Sequence, residues 1–358
     1  MAYNNINIAF NINEQYLPYC VTTMASILKN AASGSFFNFY VFTLHDLGSE
    51  LQSITIEEYS NFKIHNIVCD EKIFNHVEES LSLSRIPIAD GSLRLLIPAM
   101  LKDIDKCIYL DCDIIVNTDI GRLYHEDLDG YCIGGVIPHR AHYWQKSLNP
   151  HRHEVVENFK LTNGFCINSG VMLFNLKQIR EEQSESELLN AIEQYKDDPR
   201  IRGFDQDLIN IVFLGFGREK IKIIDSRWNR TPLTSIMPLK EMFIIHYIGP
   251  DKPWNSLRGP YIIEYLEYAR LTSYYPQIRK ALLEIVIDKI DYLETKLYYK
   301  RYLRRRSLFD FRIFGKELFP RKVEHYNRKI NAFLTQKREK EFYYDYIIQI
   351  KNFLENNK

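Results

Sequence analysis

No stretch of this chain approaches the roughly eighteen uninterrupted apolar residues of a membrane-spanning helix, which excludes an integral membrane protein of that kind. Met1-Ala2-Tyr3-Asn4-Asn5 has neither the basic start nor the apolar core of a secretory signal, so a cytoplasmic location is expected. Cys-x-x-Cys pairs are missing. Cys20, Cys69, Cys107, Cys112, Cys132 and Cys166 are scattered, which argues against a zinc ribbon or a disulfide framework and for reduced thiols. There is no internal repeat and no low-complexity segment. No Gly-rich or zinc-finger pattern points to nucleic acid as a partner.

Net charge is also missing, because 46 Lys and Arg balance 46 Asp and Glu. The balance hides an asymmetry. From Thr295 to Lys358 there are 17 basic and 7 acidic residues, a net of +10, so the remainder carries −10. Lys300 to Arg306 holds five basic residues, and Phe309, Phe311, Ile313, Phe314, Leu318 and Phe319 follow closely. Basic and aromatic residues together suit an anionic membrane surface. A helical subdomain with a solvated basic face fits the same pattern equally well.

What is present is an alternation of short apolar strands with amphipathic segments over residues 6 to about 250. Ile6–Phe10, Phe37–Phe42 and Phe62–Val68 read as strands, Val21–Asn30 and Leu93–Leu101 as helices. This order predicts an α/β fold with a mostly parallel central sheet. From about Tyr261 the pattern becomes helical and rich in Tyr, Lys and Arg. The expected division is therefore an α/β domain over 1–260 and a helical, basic and aromatic region over 261–358.

The most informative segment is Ile108-Tyr109-Leu110-Asp111-Cys112-Asp113-Ile114-Ile115-Val116. It reads as an apolar strand that carries two carboxylates with one residue between them. In extended backbone such residues share a side, so Asp111 and Asp113 can reach one cation. A divalent metal would remove their mutual repulsion and could carry a diphosphate. His246, after the apolar Phe243-Ile244-Ile245, is a candidate third ligand. Two carboxylates and an imidazole suit Mn²⁺ better than Mg²⁺, although Mg²⁺ remains possible. Gly249 would let backbone approach a phosphate, and Lys252 would add a cation beside it. Gly203-Phe204-Asp205-Gln206-Asp207 precedes the apolar Leu208–Phe213, where Asp207 is expected to cap a helix.

These motifs, with Asn168-Ser169-Gly170-Val171 and the segment from His246 to Trp254, stand in one order along the chain. In that order the chain resembles the retaining glycosyltransferases of family 8, from about residue 6 to 256. The likeness is greatest to bacterial galactosyl- and glucosyltransferases that extend the core of lipopolysaccharide or lipooligosaccharide. The resemblance implies a GT-A fold, a UDP-hexose donor, a glycan or glycolipid acceptor, and a place at the inner face of the inner membrane. It implies metal ligation by Asp111, Asp113 and His246, with Gly249 and Lys252 at the diphosphate. Phe10, Asn11, Asn13, Gln15 and Tyr16 match the strand and loop that cradle uridine, with Tyr16 stacked on uracil. Arg94, Cys112, Asn168, Ser169, Asp205 and Gln206 complete the expected donor-binding set.

Asn13 replaces the Asp that the family often carries there. Retention needs either a covalent intermediate or attack from the leaving-group face. Gln206 matches the position at the reacting face, and an amide is a poor nucleophile, which favours same-face attack. Asp205 is the alternative nucleophile. On the acceptor side Pro138-His139-Arg140 departs from relatives that have a carboxylate, and Arg140, His142, Lys146 and Arg152 suit a phosphorylated glycan. A protein or another cell-surface polysaccharide is the alternative acceptor. Two other classes share features of the chain. A haloacid-dehalogenase-type phosphatase also places Asp-x-Asp after a strand, but usually near the N-terminus and followed by Thr or Val where Ile115 stands. A non-catalytic scaffold would have little reason to keep all three ligands.

Overall fold

The computed structural model describes residues 4–69, 91–138, 150–195, 198–231, 238–296, 312–313, 316–317 and 344–357. A seven-stranded sheet forms the centre. Its strands are β1 Asn4–Asn11, β2 Ser35–Thr43, β3 Phe62–Val68, β4 Lys106–Leu110, β6 Ile133–Val136, β7 Asn168–Asn175 and β8 Ile221–Ile223. Their spatial order is β3-β2-β1-β4-β7-β6-β8. β1 pairs in parallel with β2 and β4, β2 with β3, and β6 with β8, whereas β7 runs antiparallel to β4 and β6. Six strands thus share one direction and β7 alone is reversed. With helices on both sides, this is the expected mostly parallel GT-A-like arrangement.

The apolar run from Ile108 to Val116 is not one strand. β4 stops at Leu110, and β5 Ile114–Val116 turns away to pair antiparallel with β9 Ile244–His246. The break falls on Asp111-Cys112-Asp113, so the two carboxylates stand on a bend between two sheets rather than on one strand face. The predicted helix over Leu93–Leu101 is likewise split, into a 3₁₀ segment Gly91–Leu96 and one α turn Ile97–Met100. Pro98, inside the first α turn, suits a new helix start there.

Helix α1, Leu17–Lys29, starts four residues before the predicted Val21, with Pro18 in its first turn. Every residue from Leu17 to Leu28 except Tyr19 is buried, including Thr22, Thr23 and Ser26. Those hydroxyls have work to do. Thr23 Oγ1 donates to Ile114 O (2.9 Å), Val116 N donates to Ser26 Oγ (3.0 Å), and Asn30 Nδ2 donates to Val116 O (2.9 Å). α1 therefore satisfies the edge of β5 that β9 leaves open, which a purely apolar helix could not do.

Two apolar clusters fill the space around the sheet. One is built on Ile8, Phe10, Phe37, Phe39 and α1, the other on Tyr109, Met172, Phe174 and helix α2, Phe204–Leu214. Helix α3, Ile262–Ala269, belongs to this first compact unit, which comprises 1–252 and 259–275. A second unit comprises 253–258 and 276–358. Its described parts include most of helix α4, Tyr275–Lys296, and a helix over 344–356, joined by a hydrogen bond from Arg279 Nε to Leu354 O. Most of the basic and aromatic stretch from 297 to 343 lies outside the described residues. Among those described, no helix is long and apolar enough to cross a membrane.

Candidate active site

The reversal of β7 assembles the site. Because β4 and β7 are antiparallel, the end of β4 meets the start of β7, and Asp111 N donates to Gly170 O at 2.9 Å. The β5–β9 pair does the same for the other half. Ile114 faces His246 in register, and Tyr247 N donates to Asp113 O at 2.9 Å. Asp111 and Asp113, from the bend between β4 and β5, thus converge with His246 at the end of β9, each offering a ligand atom within 4.8 Å of the others. His246 Nε2 lies 3.1 Å from Asp113 Oδ1 and 3.4 Å from Asp111 Oδ2. The donor set, two hard oxygens and one imidazole nitrogen, can hold a divalent cation and suits Mn²⁺.

Little space remains behind the cluster. A Cβ on Gly170 would stand 2.2 Å from His246 Cε1 and 2.5 Å from Asp111 Oδ2. Glycine is required there for packing rather than for backbone conformation. At Gly249 the need is conformational, since its φ of +99° lies in the left-handed region and no atom would crowd a side chain.

Charged groups ring the cluster. Arg94 bridges two carboxylates, with Nη2 3.0 Å from Asp111 Oδ1 and Nε 3.0 Å from Asp205 Oδ2. It also donates through Nη1 to Ser169 O (3.1 Å) and Oγ (3.0 Å), and its guanidinium lies 4.7 Å from the Tyr109 ring centroid. Lys252 Nζ contacts Asp113 Oδ2 and donates to Tyr247 O at 2.7 Å. Burial opposes charge on Asp111, yet Arg94 and His246 hold its carboxyl well below the usual carboxylate range. Asp113 is also lowered, because His246 and Lys252 outweigh its burial. Asp205 moves the other way. Burial outweighs Arg94 there, and Asp111 adds to the rise. Burial disfavours a charged His246, but Asp113 and Asp111 raise its pKa to about 9.

The other predicted residues fall around this centre in different ways. Asn168 Nδ2 and Ser169 N both donate to Gln206 Oε1, at 3.1 and 3.2 Å. Ser169 Oγ donates to Asp205 Oδ2 at 3.3 Å. Tyr109 OH lies within hydrogen-bond reach of Asn11 Oδ1 and, at 2.8 Å, of Asp111 Oδ1, which ties the end of β1 to the cluster. Asn13 Oδ1 accepts from Tyr16 N at 3.1 Å and so caps the turn Glu14–Tyr16. Gln15 is exposed, as is Tyr16, which packs edge-on against Tyr19. Phe10 is fully buried against Phe39, so its side chain belongs to the core and only its backbone can meet a ligand. Cys112 is also buried, with Sγ toward Asn11 O.

Asp207 is not the N-cap that the sequence suggests. The helix starts at Phe204 with Gly203 as N-cap, and Asp207 reaches back from inside it. Its Oδ2 accepts from Gly203 N (2.9 Å) and Arg202 N (3.1 Å) and pairs with His151 Nε2 (2.8 Å). Of the proposed acceptor residues, Arg152 sits on the helix Pro150–Asn158, while Arg140, His142 and Lys146 lie outside the described residues. Three buried residues escaped the sequence reading. Asn229, Asn210 and Tyr109 carry no motif of their own. Only their partners reveal them.

The fold and the cluster define a sugar transferase of the GT-A type. A family model described as Glycosyl transferase family 8 matches residues 7–258, and the chain belongs to that family. It is 26% identical over 276 residues to the lipopolysaccharide glucosyltransferase WaaO of Escherichia coli, covering 72% of this chain and 74% of that one. It is 26% identical to general stress protein A of Bacillus subtilis over 57% of this chain and 72% of that one. With the lipopolysaccharide 1,3-galactosyltransferase of Salmonella typhimurium it shares 24% identity over 75% and 79%. Among solved structures, galactosyltransferase LgtC with donor and acceptor sugar analogues superposes with a TM-score of 0.56 at 21% identity, over 74% of this chain and 95% of that one. The bifunctional glycosyltransferase WbbM superposes with a TM-score of 0.61 at 18% identity, over 77% of this chain and about half (51%) of that one.

Proposed function

We propose that this chain transfers galactose or glucose, with retention of configuration, from a UDP-sugar to the core of a lipopolysaccharide or lipooligosaccharide, using Mn²⁺. The observation that carries the reading is the convergence of Asp111, Asp113 and His246 beside Lys252 in a family 8 domain. The charges favour it. Asp111, Asp113 and Asp205 contribute −3, and Arg94 and Lys252 contribute +2. A divalent cation with a neutral His246 brings the site to +1, which attracts a diphosphate.

Such a cation, held by the three ligands, would act as a Lewis acid toward the diphosphate and stabilise charge on the UDP leaving group. Lys252 would add a second positive charge at the same place, preorganised by its bond to Tyr247 O. Asn168 and Asp205 would hold donor-sugar hydroxyls, and the exposed Tyr16 ring would stack on uracil. Asp205 is engaged by Arg94 and Ser169, which makes it a poor free nucleophile. The Gln206 carbonyl already accepts two hydrogen bonds and is weakly nucleophilic as an amide. Both facts support same-face attack, with the acceptor hydroxyl losing its proton to the departing phosphate oxygen. Gln206 would then steady the positive charge at the anomeric carbon.

The test is UDP release from a panel of UDP-sugars, with and without core oligosaccharides of increasing length. Turnover with UDP-galactose or UDP-glucose that is stimulated by one core acceptor supports the reading and names both substrates. Turnover stimulated only by a protein or an unrelated polysaccharide would overturn the acceptor assignment and keep the chemistry.

A further inference from the structure

Asn229 is buried in the turn Ser226–Asn229, distant in sequence from every motif above. Its side chain nevertheless lies between two parts of the site. Asn229 Oδ1 is 2.9 Å from His246 Nδ1, and Asn229 Nδ2 donates to Asn168 Oδ1 at 2.8 Å. Asn168 Oδ1 also accepts from Gly170 N at 3.1 Å, and Asn168 Nδ2 donates to Gln206 Oε1.

Each partner fixes the next. Two backbone N–H donors, those of Gly170 and Ser169, fix the outer end, because Asn168 Oδ1 and Gln206 Oε1 must then be acceptors. Asn229 Nδ2 must therefore be the donor to Asn168, so Asn229 Oδ1 faces His246 and requires a proton on Nδ1. With the proton on Nδ1, the lone pair of a neutral His246 sits on Nε2, the atom that faces Asp113 and Asp111. The hydrogen bonds run one way, from His246 through Asn229 and Asn168 to Gln206.

We infer that Asn229 is a positioning residue with two separable roles, which rests on the function proposed above. Its carbonyl selects the His246 tautomer that leaves Nε2 free for a cation. Its amide NH₂ fixes the orientation of Asn168 and, through it, of the Gln206 side chain at the reacting face. Asn229 itself touches neither the cation nor the sugar.

The two roles predict different losses in the full chain. Asn229→Leu removes both, and Mn²⁺ affinity by titration calorimetry should fall about 10- to 100-fold. Asn229→Asp keeps an acceptor for Nδ1–H and loses the donor. The new carboxylate then opposes Asn168 Oδ1, which Gly170 N–H holds in place, and the Asn168 side chain is pushed off its bond to Gln206. Mn²⁺ affinity should stay within about threefold of wild type, while kcat for UDP-sugar turnover falls about tenfold with KM for the donor little changed. Thermal melting of both variants controls for simple loss of fold. The inference is overturned if Asn229→Leu binds Mn²⁺ as wild type does. It is also overturned if Asn229→Asp loses affinity and kcat together, or keeps wild-type kcat. Wild-type protein that binds no Mn²⁺ would instead sink the proposed function, and this inference with it.

Discussion

Single residues set the limits of this site. Gly170 backs two of the three metal-ligand side chains, His246 and Asp111, and no larger residue fits without moving one of them. Gly170→Ala should cost about 1–3 kcal/mol of stability through overpacking and weaken Mn²⁺ binding, measured by melting and by calorimetry. Wild-type values for both would contradict the packing argument. His246 makes the site pH-sensitive. Its pKa is raised to about 9, so near neutral pH the proton is bound and a cation at Nε2 must displace it. Apparent Mn²⁺ affinity should therefore rise with pH, by up to about tenfold per unit, and level off near that value. An affinity that stays flat through the neutral range would contradict the displacement of a proton from His246. At this scale the sequence was legible where chemistry is written in residue type, as in Asp111, Asp113 and His246. It marked Gly170 only as part of a motif, without its packing role, and was silent on Asn229, whose importance lies in neighbours brought from far along the chain.

Elements carry a different part of the account. The segment from Ile108 to Val116 gives no sign that it feeds two sheets, because carboxylates at Asp111 and Asp113, two residues apart, fit one continuous strand equally well. The separation depends on β9, over a hundred residues away, competing for β5. The reversal of β7 is equally hidden, since strand direction is a property of pairing and not of composition. The buried Thr23 and Ser26 of α1 become intelligible only once β5 is seen to need partners. Helix α2 is held to β7 by Asn210, whose side chain mimics a strand neighbour. Ile167 N donates to Asn210 Oδ1 at 2.8 Å, and Asn210 Nδ2 donates to Ile167 O (3.2 Å) and Gln206 O (2.7 Å). Asn210→Leu strands those backbone groups, which should cost about 2–3 kcal/mol in denaturant unfolding and reduce turnover by loosening Gln206 against Asn168. A change of a few tenths would mean that the helix is held by packing alone.

At the scale of the whole molecule, the charge asymmetry between residues 295–358 and the rest remains to be explained. We propose that the basic, aromatic stretch brings the enzyme to an anionic membrane surface, where a lipid-linked acceptor would be found. Replacing Lys300, Arg301, Arg304, Arg305 and Arg306 with Gln in the full chain should abolish co-sedimentation with anionic vesicles and leave UDP-sugar hydrolysis intact. Binding that survives these replacements, or is insensitive to salt, would favour a solvated helical face. The fold class and family were readable at this scale because α/β alternation and motif order run through some 250 residues. The acceptor was not, because no residue pattern around Pro138-His139-Arg140 specifies one. In the proposed function Asp111, Asp113 and His246 hold a cation that drives departure of UDP. The most direct test of that role is Mn²⁺-dependent UDP release by wild type and by Asp113→Asn, each with and without EDTA. The account predicts turnover in wild type that EDTA abolishes, and a loss of about a hundredfold or more in the variant. Turnover that survives both EDTA and the substitution would contradict it.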